Sequence, residues 1–134
     1  MVFLTNIELM NYWIESSDDD YKTMNDLFAT NNNSWALFMG HLVIEKLVKA
    51  LYAKTNIEKP HAPYTHNLTV LLEGCKVDLD KEKGLKIGVI NTFNISARYD
   101  TYKKEFKQKA TDEYTKQQIK NIEDVRLWLK QMLA

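Results

Sequence analysis

A chain of 134 residues with 45% hydrophobic and 27% charged content can bury one core and is too short for two comparable domains. Its 18 basic and 18 acidic residues cancel, so no global positive field draws nucleic acid, and any such contact has to be local. A single cysteine, Cys75, excludes an intrachain disulfide, fits a reducing cytoplasm, and among leucines reads as a small core residue.

The N-terminal MVFLTNIELMNYW shows no basic leader, and no window approaches the roughly 20 apolar residues of a membrane span. The expected setting is therefore cytoplasmic, without a membrane partner. Thr5 followed by Glu8 has capping-box spacing and opens a first helix from about Asn6 to Phe28. Its apolar stripe runs through Met10, Trp13, Ser17, Tyr21, Met24 and Phe28, widened by Ile14 and Leu27. Asp18, Asp19 and Asp20 lie opposite most of that stripe and are expected to form a solvated face, since three consecutive side chains fan around the axis and cannot converge on a metal.

Asn31 to Ser34 break the pattern, and Asn33 or Ser34 is expected to cap the next helix. So short a connection makes the first two helices antiparallel neighbours, with Trp13 and Trp35 near opposite ends of the pair. The segment Ser34 to Lys54 is the centre of the chain. Leu37, His41, Ile44, Val48 and Leu51 form one line and Ala36, Gly40, Val43, Leu47 and Ala50 a second, so this helix is packed on more than one side.

Pro60 and Pro63 deny helix to the segment from Thr55 to Thr65. Thr65 is expected to cap a short helix through Leu68, Leu71, Leu72 and Cys75 that ends at Gly74 or the turn beyond it. Asp78 or Asp80 starts another, with Leu85, Val89 and Phe93 on its inner face beside Ile90 and Ala97. Gly84 and Gly88 cost this helix about 1 kcal/mol each against alanine unless they admit another backbone. The stretch from Ala97 to Ala110 is the least regular. Thr111 then opens a last helix whose stripe is Gln118, Ile122, Val125, Leu129 and Met132, edged by Ile119 and Leu133. The sum is a single all-α domain over residues 1–134, an up-and-down bundle of four to five helices.

Two groups of residues could carry chemistry. His41, Glu45 and Lys49 are successive steps of four, so their side chains meet along one edge of the central helix, either as a salt-bridged ladder or facing a cleft and orienting a polar ligand. Arg98 is followed at once by Tyr99 and Asp100, then by Tyr102, Lys103, Lys104, Phe106, Lys107 and Lys109. Guanidinium suits bidentate phosphate contact and tyrosine rings suit base stacking, while a buried structural pair between Arg98 and an aspartate is the alternative. His61 and His66 crowd with Tyr64 in the proline segment, but no HExxH or paired Cys/His spacing supports a metal site. GxSxG, GxxxxGK[ST] and GxGxxG are likewise missing, and no cofactor is expected.

The helix with IEKLVKALYAK, the Thr65-His66-Asn67-Leu68 start after a proline loop, the ARYD segment and the closing amphipathic helix after Thr111 recur in the order seen in the HEPN family, which this chain resembles. The resemblance implies a helical bundle that usually dimerises, found chiefly in bacteria and archaea beside a minimal nucleotidyltransferase in toxin–antitoxin or related defence operons. Many members are metal-independent ribonucleases whose Arg is followed four to six residues later by a His. Here no His follows Arg98 or occurs anywhere beyond His66, so the proton-shuttling group is missing from its expected place.

The ARYD variant looks instead like the branch associated with nucleotidyltransferases, which implies a non-catalytic homodimer binding nucleotide, RNA or a nucleotidyltransferase subunit, with no role in reading DNA grooves. On that reading the ligand residues are Arg98, Tyr99, Asp100, Tyr102, His41, Glu45, Lys49 and His66. The alternative is an unconventional ribonuclease in which folding brings His41 or His66 to Arg98.

Overall fold

In the computed structural model, residues 4–134 are described; residues 1–3, part of the stretch read above for a leader, lie outside them. Six helices and no strand appear among the described residues: α1 (Asn6–Ala29), α2 (Asn33–Thr55), α3 (Leu68–Glu73), α4 (Lys81–Arg98), α5 (Asp100–Lys109) and α6 (Asp112–Leu133). The four long helices alternate in direction. Three residues join α1 to α2, and Asn31 takes a left-handed φ of 64°, which asparagine tolerates, to reverse the chain. At one end of α2 Asn33 hydrogen-bonds Asp112, and at the other Lys54 hydrogen-bonds the Met132 carbonyl, so α2 and α6 run parallel. Lys86 meets Asp124 and Lys83 stands over Trp128, which sets α4 antiparallel to α6.

Helix α2 packs against all five others, and both of its apolar lines are buried. It lies against α6 across the bundle because Gly40 has no side chain: a Cβ there would sit 2.3 Å from Ile122 Cδ1. That close approach spreads α1 from α6 and leaves an open groove of about 1000 Å³ beside Phe28, Tyr114 and Ile119. Trp13 packs beside Lys49 near one end of the α1–α2 pair, and Trp35 packs on Phe38 at the other.

The expected caps hold at Thr5, whose hydroxyl and Glu8 form the reciprocal box, at Asp80 and at Thr111. Five expectations need correction. Asp19 alone is solvated. Asp20 lies 2.6 Å from Lys46, and Asp18 lies 3.1 Å from Arg126 and 2.7 Å from Lys130, because α2 and α6 both border that side of α1. Helix α2 starts after Asn32, which makes no side-chain cap; Asn33 reaches instead to the Ala110 carbonyl and Asp112.

Helix α3 is capped by Asn67, whose side chain accepts from the Thr69 and Val70 amides, while Thr65 accepts from the Asn67 amide one step earlier. The inner face of α4 is Ile87, Ile90, Phe93 and Ala97, with Leu85 and Val89 exposed; this helix is apolar on both sides, and spacing alone does not choose between them. Finally, the irregular stretch contains α5. Its single buried side chain, Phe106, docks on Phe93 with ring centroids 5.6 Å apart, so packing and not a sequence period holds it helical.

Candidate functional site

The i, i+4 ladder on α2 does form, and it faces inward. Glu45 is 3% exposed, and its two oxygens take different partners: Lys49 Nζ lies 3.2 Å from Oε2, and His66 Nδ1 lies 2.8 Å from Oε1. His41 is fully buried. Its Nε2 is 3.0 Å from the His66 carbonyl, which only accepts, so Nε2 carries the proton. The other nitrogen, Nδ1, is 3.8 Å from Glu45 and has no hydrogen-bond partner. Burial is the main force on this imidazole and pushes its pKa below the ordinary 6.5, against the pull of Glu45, so His41 is neutral.

The cluster joins α2 to the proline loop. His66 comes from that loop, 21 residues beyond Glu45, so no local pattern in the sequence announces the pair. With Nδ1 held by the carboxylate, the rest of the imidazole is half-exposed beside the fully exposed ring of Tyr64. Lys49 also stands 4.9 Å from the Trp13 ring, which ties the ladder to α1. His61 is turned elsewhere, lining a separate cavity with Leu4 and Ile57. Among the described residues no three His, Cys, Asp or Glu side chains converge as a metal site requires.

Arg98 ends α4, and Tyr99 interrupts the helix for one residue in extended conformation before α5 begins. Its guanidinium is exposed and touches only Asn94 Oδ1, at 3.4 Å, so the buried Arg98–Asp pair does not form. Tyr99, Asp100 and Tyr102 are exposed around the same bend. Tyr102 lines a cavity of about 180 Å³ with Thr92, Ser96 and Tyr114.

Helix α4 connects the cluster to the bend. Asn91 accepts from the Leu68 amide and donates to Asn67, directly beside His66; Asn94 and Arg98 follow on the same flank. From Asn91 to Arg98 is seven residues, about 10 Å of helix axis. His66 and Arg98 share no hydrogen bond.

Three further groups escaped the reading of the sequence. Asn67 and Asn91 pair across 24 residues, and only the capping position of Asn67 carries a local signal. Trp35 is partly exposed beneath Lys103, whose Nζ lies 5.3 Å from the ring, and with Lys107 they line a cavity of about 300 Å³ at the start of α2. Aromatic and lysine residues 68 apart in sequence leave no shared pattern.

The HEPN domain model matches residues 10–132, which include every helix beyond the first turn of α1. The chain belongs to the HEPN domain family. No curated protein and no solved structure matches it. In this HEPN domain the Arg98 bend and the Glu45–His66 pair lie along one flank of α4, and no helix is long and apolar enough to cross a membrane.

Proposed function

We propose that this HEPN domain is a non-catalytic binding module for nucleotide or RNA. One observation carries the reading: Arg98 is exposed and without a carboxylate partner, so its five N–H donors are free for a phosphate. Tyr99 and Tyr102 offer exposed rings for stacking, and Asp100 supplies an acceptor for a polar edge. His66 orients a further polar group, while Glu45, His41 and Lys49 hold its ring in place from within the bundle.

The missing His after Arg98 favours binding over cleavage. Its neutral overall charge suits a short local contact and not a long nucleic-acid track. The domain acts as a homodimer and assists a minimal nucleotidyltransferase subunit in a toxin–antitoxin or defence module of a prokaryotic cytoplasm. Incubating the protein with single-stranded RNA tests this: the RNA is retained on a filter and stays intact, and Arg98→Ala abolishes retention.

A second reading, a metal-independent ribonuclease, draws on the Glu45–His66 pair. A carboxylate 2.8 Å from Nδ1 fixes the ring as it would in a general base, leaving Nε2 to take a proton. RNA cleavage lost on both Arg98→Ala and His66→Gln is the result that would replace the first reading with this one.

A further inference from the structure

Helix α4 turns an uncharged strip to solvent. Leu85, Gly88, Val89, Thr92, Ile95 and Ser96 recur at spacings of three and four on the side opposite its buried face, and five of the six are exposed. Leu85 is 64% exposed and Ile95 50%. The outward sides of α5 and α6 are different, with Lys103, Lys104 and Lys107 on one and Lys116 and Lys120 on the other. In a chain with 27% charged residues, an eleven-residue helix face without one is a surface that water is not meant to keep.

At its centre the strip is also shallow. A Cβ on Gly88 would meet nothing within 4 Å, so the glycine costs helix stability and returns no packing inside the chain. Its absent side chain becomes useful only if another backbone comes close from outside. The two ends of the strip carry opposite charges, Lys81 at the start of α4 and Asp100 just past its end, both exposed and neither in an ion pair among the described residues.

We propose that this strip is the seam of the homodimer, two α4 helices crossing antiparallel about a two-fold axis near Ile90 and Asn91. The occupant is a second copy because the strip matches itself. An isologous contact has to be self-complementary, and antiparallel pairing about that point brings Lys81 of each copy toward Asp100 of the other, Leu85 toward Ser96 and Val89 toward Thr92. Gly88 opens the crossing to close approach. Exposed Leu79, Tyr99 and Tyr102 flank the strip and extend it toward the roughly 800 Å² per partner that a stable dimer buries. The seam ends at the bend, so each Arg98 lies at its edge. This inference rests on the homodimer reading above and gives it a surface.

Sedimentation equilibrium of the full chain at micromolar concentrations tests it, with circular dichroism recorded on each variant. The wild type is expected to be a dimer, and Val89→Arg to weaken dimerisation at least about tenfold with helicity unchanged, because two guanidinium groups would meet across the axis. Lys81→Glu and Asp100→Lys each weaken it, and the double exchange K81E/D100K restores it, which a merely unfolded variant cannot do. A dimer indifferent to Val89→Arg, or singles that the double exchange does not rescue, overturns the seam and leaves the homodimer standing on another face. A wild type that stays monomeric overturns both, while RNA retention by that monomer would leave the binding reading untouched.

Discussion

The two polar regions along α4 differ in what their charges are used for. Around Glu45 every charge is consumed inside the fold: Lys49 and His66 hold the carboxylate, and His41 is sealed beneath them. Around Arg98 a charge of similar size touches one asparagine and is otherwise turned to water. A buried carboxylate is tolerable only with its partners in place, so the first region is bound to stability. An exposed guanidinium adds almost nothing to stability and is free to serve a ligand. Substitutions in the two regions should therefore change different quantities.

The largest effect is expected at Glu45. Glu45→Ala leaves an ammonium and an imidazole without their shared acceptor beside the core and should destabilise the protein by about 3 kcal/mol in denaturant unfolding. Glu45→Gln should cost less, because the amide oxygen still accepts from His66. A loss as small as that of a surface mutation would make the two regions alike. Gly40→Ala gives a reference from the apolar core. Its new methyl group would press on Ile122, which is itself fully buried, and should cost about 1–3 kcal/mol without altering RNA binding.

A subtler effect comes from His41. Burial holds its folded pKa below 6.5, so as the pH falls through 6.5 the unfolded chain takes up a proton that the folded chain refuses. Stability is complete above that value and declines as the pH drops toward the lower folded pKa. His41→Gln keeps a donor for the His66 carbonyl and should flatten this part of the stability profile, measured by urea unfolding from about pH 7 to about pH 5. An unchanged slope would mean that His41 is not sealed. The smallest effect on stability is expected at the bend, where Arg98→Ala should shift the unfolding free energy by less than about 0.5 kcal/mol.

The bundle was largely legible from periodicity and caps, since Thr5 with Glu8, Asp80 and Thr111 are local signals that tertiary context did not override. Helix α4 shows where that legibility ends. Leu85–Val89–Phe93 and Ile87–Ile90–Ala97 are both valid helical stripes, and only the neighbours decide which goes inside. Helix α5 lacks an apolar stripe and is held by one phenylalanine from elsewhere. The site divides in the same way. His41, Glu45 and Lys49 are joined by a spacing of four and could be grouped in advance, whereas His66, Asn67 and Asn91 enter through contacts over more than 20 residues. The free state of Arg98 also had to come from coordinates, because a sequence does not show which carboxylates stay away.

The most direct test is the affinity of a short single-stranded oligoribonucleotide for the wild type and for Arg98→Ala, read by fluorescence anisotropy on samples whose unfolding curves coincide. The account expects uncut RNA and a loss of affinity of at least about tenfold in the variant, close to the 1.4 kcal/mol of one charge-assisted phosphate contact. Equal affinity for the two proteins would contradict it, because the guanidinium would then be an ordinary surface charge.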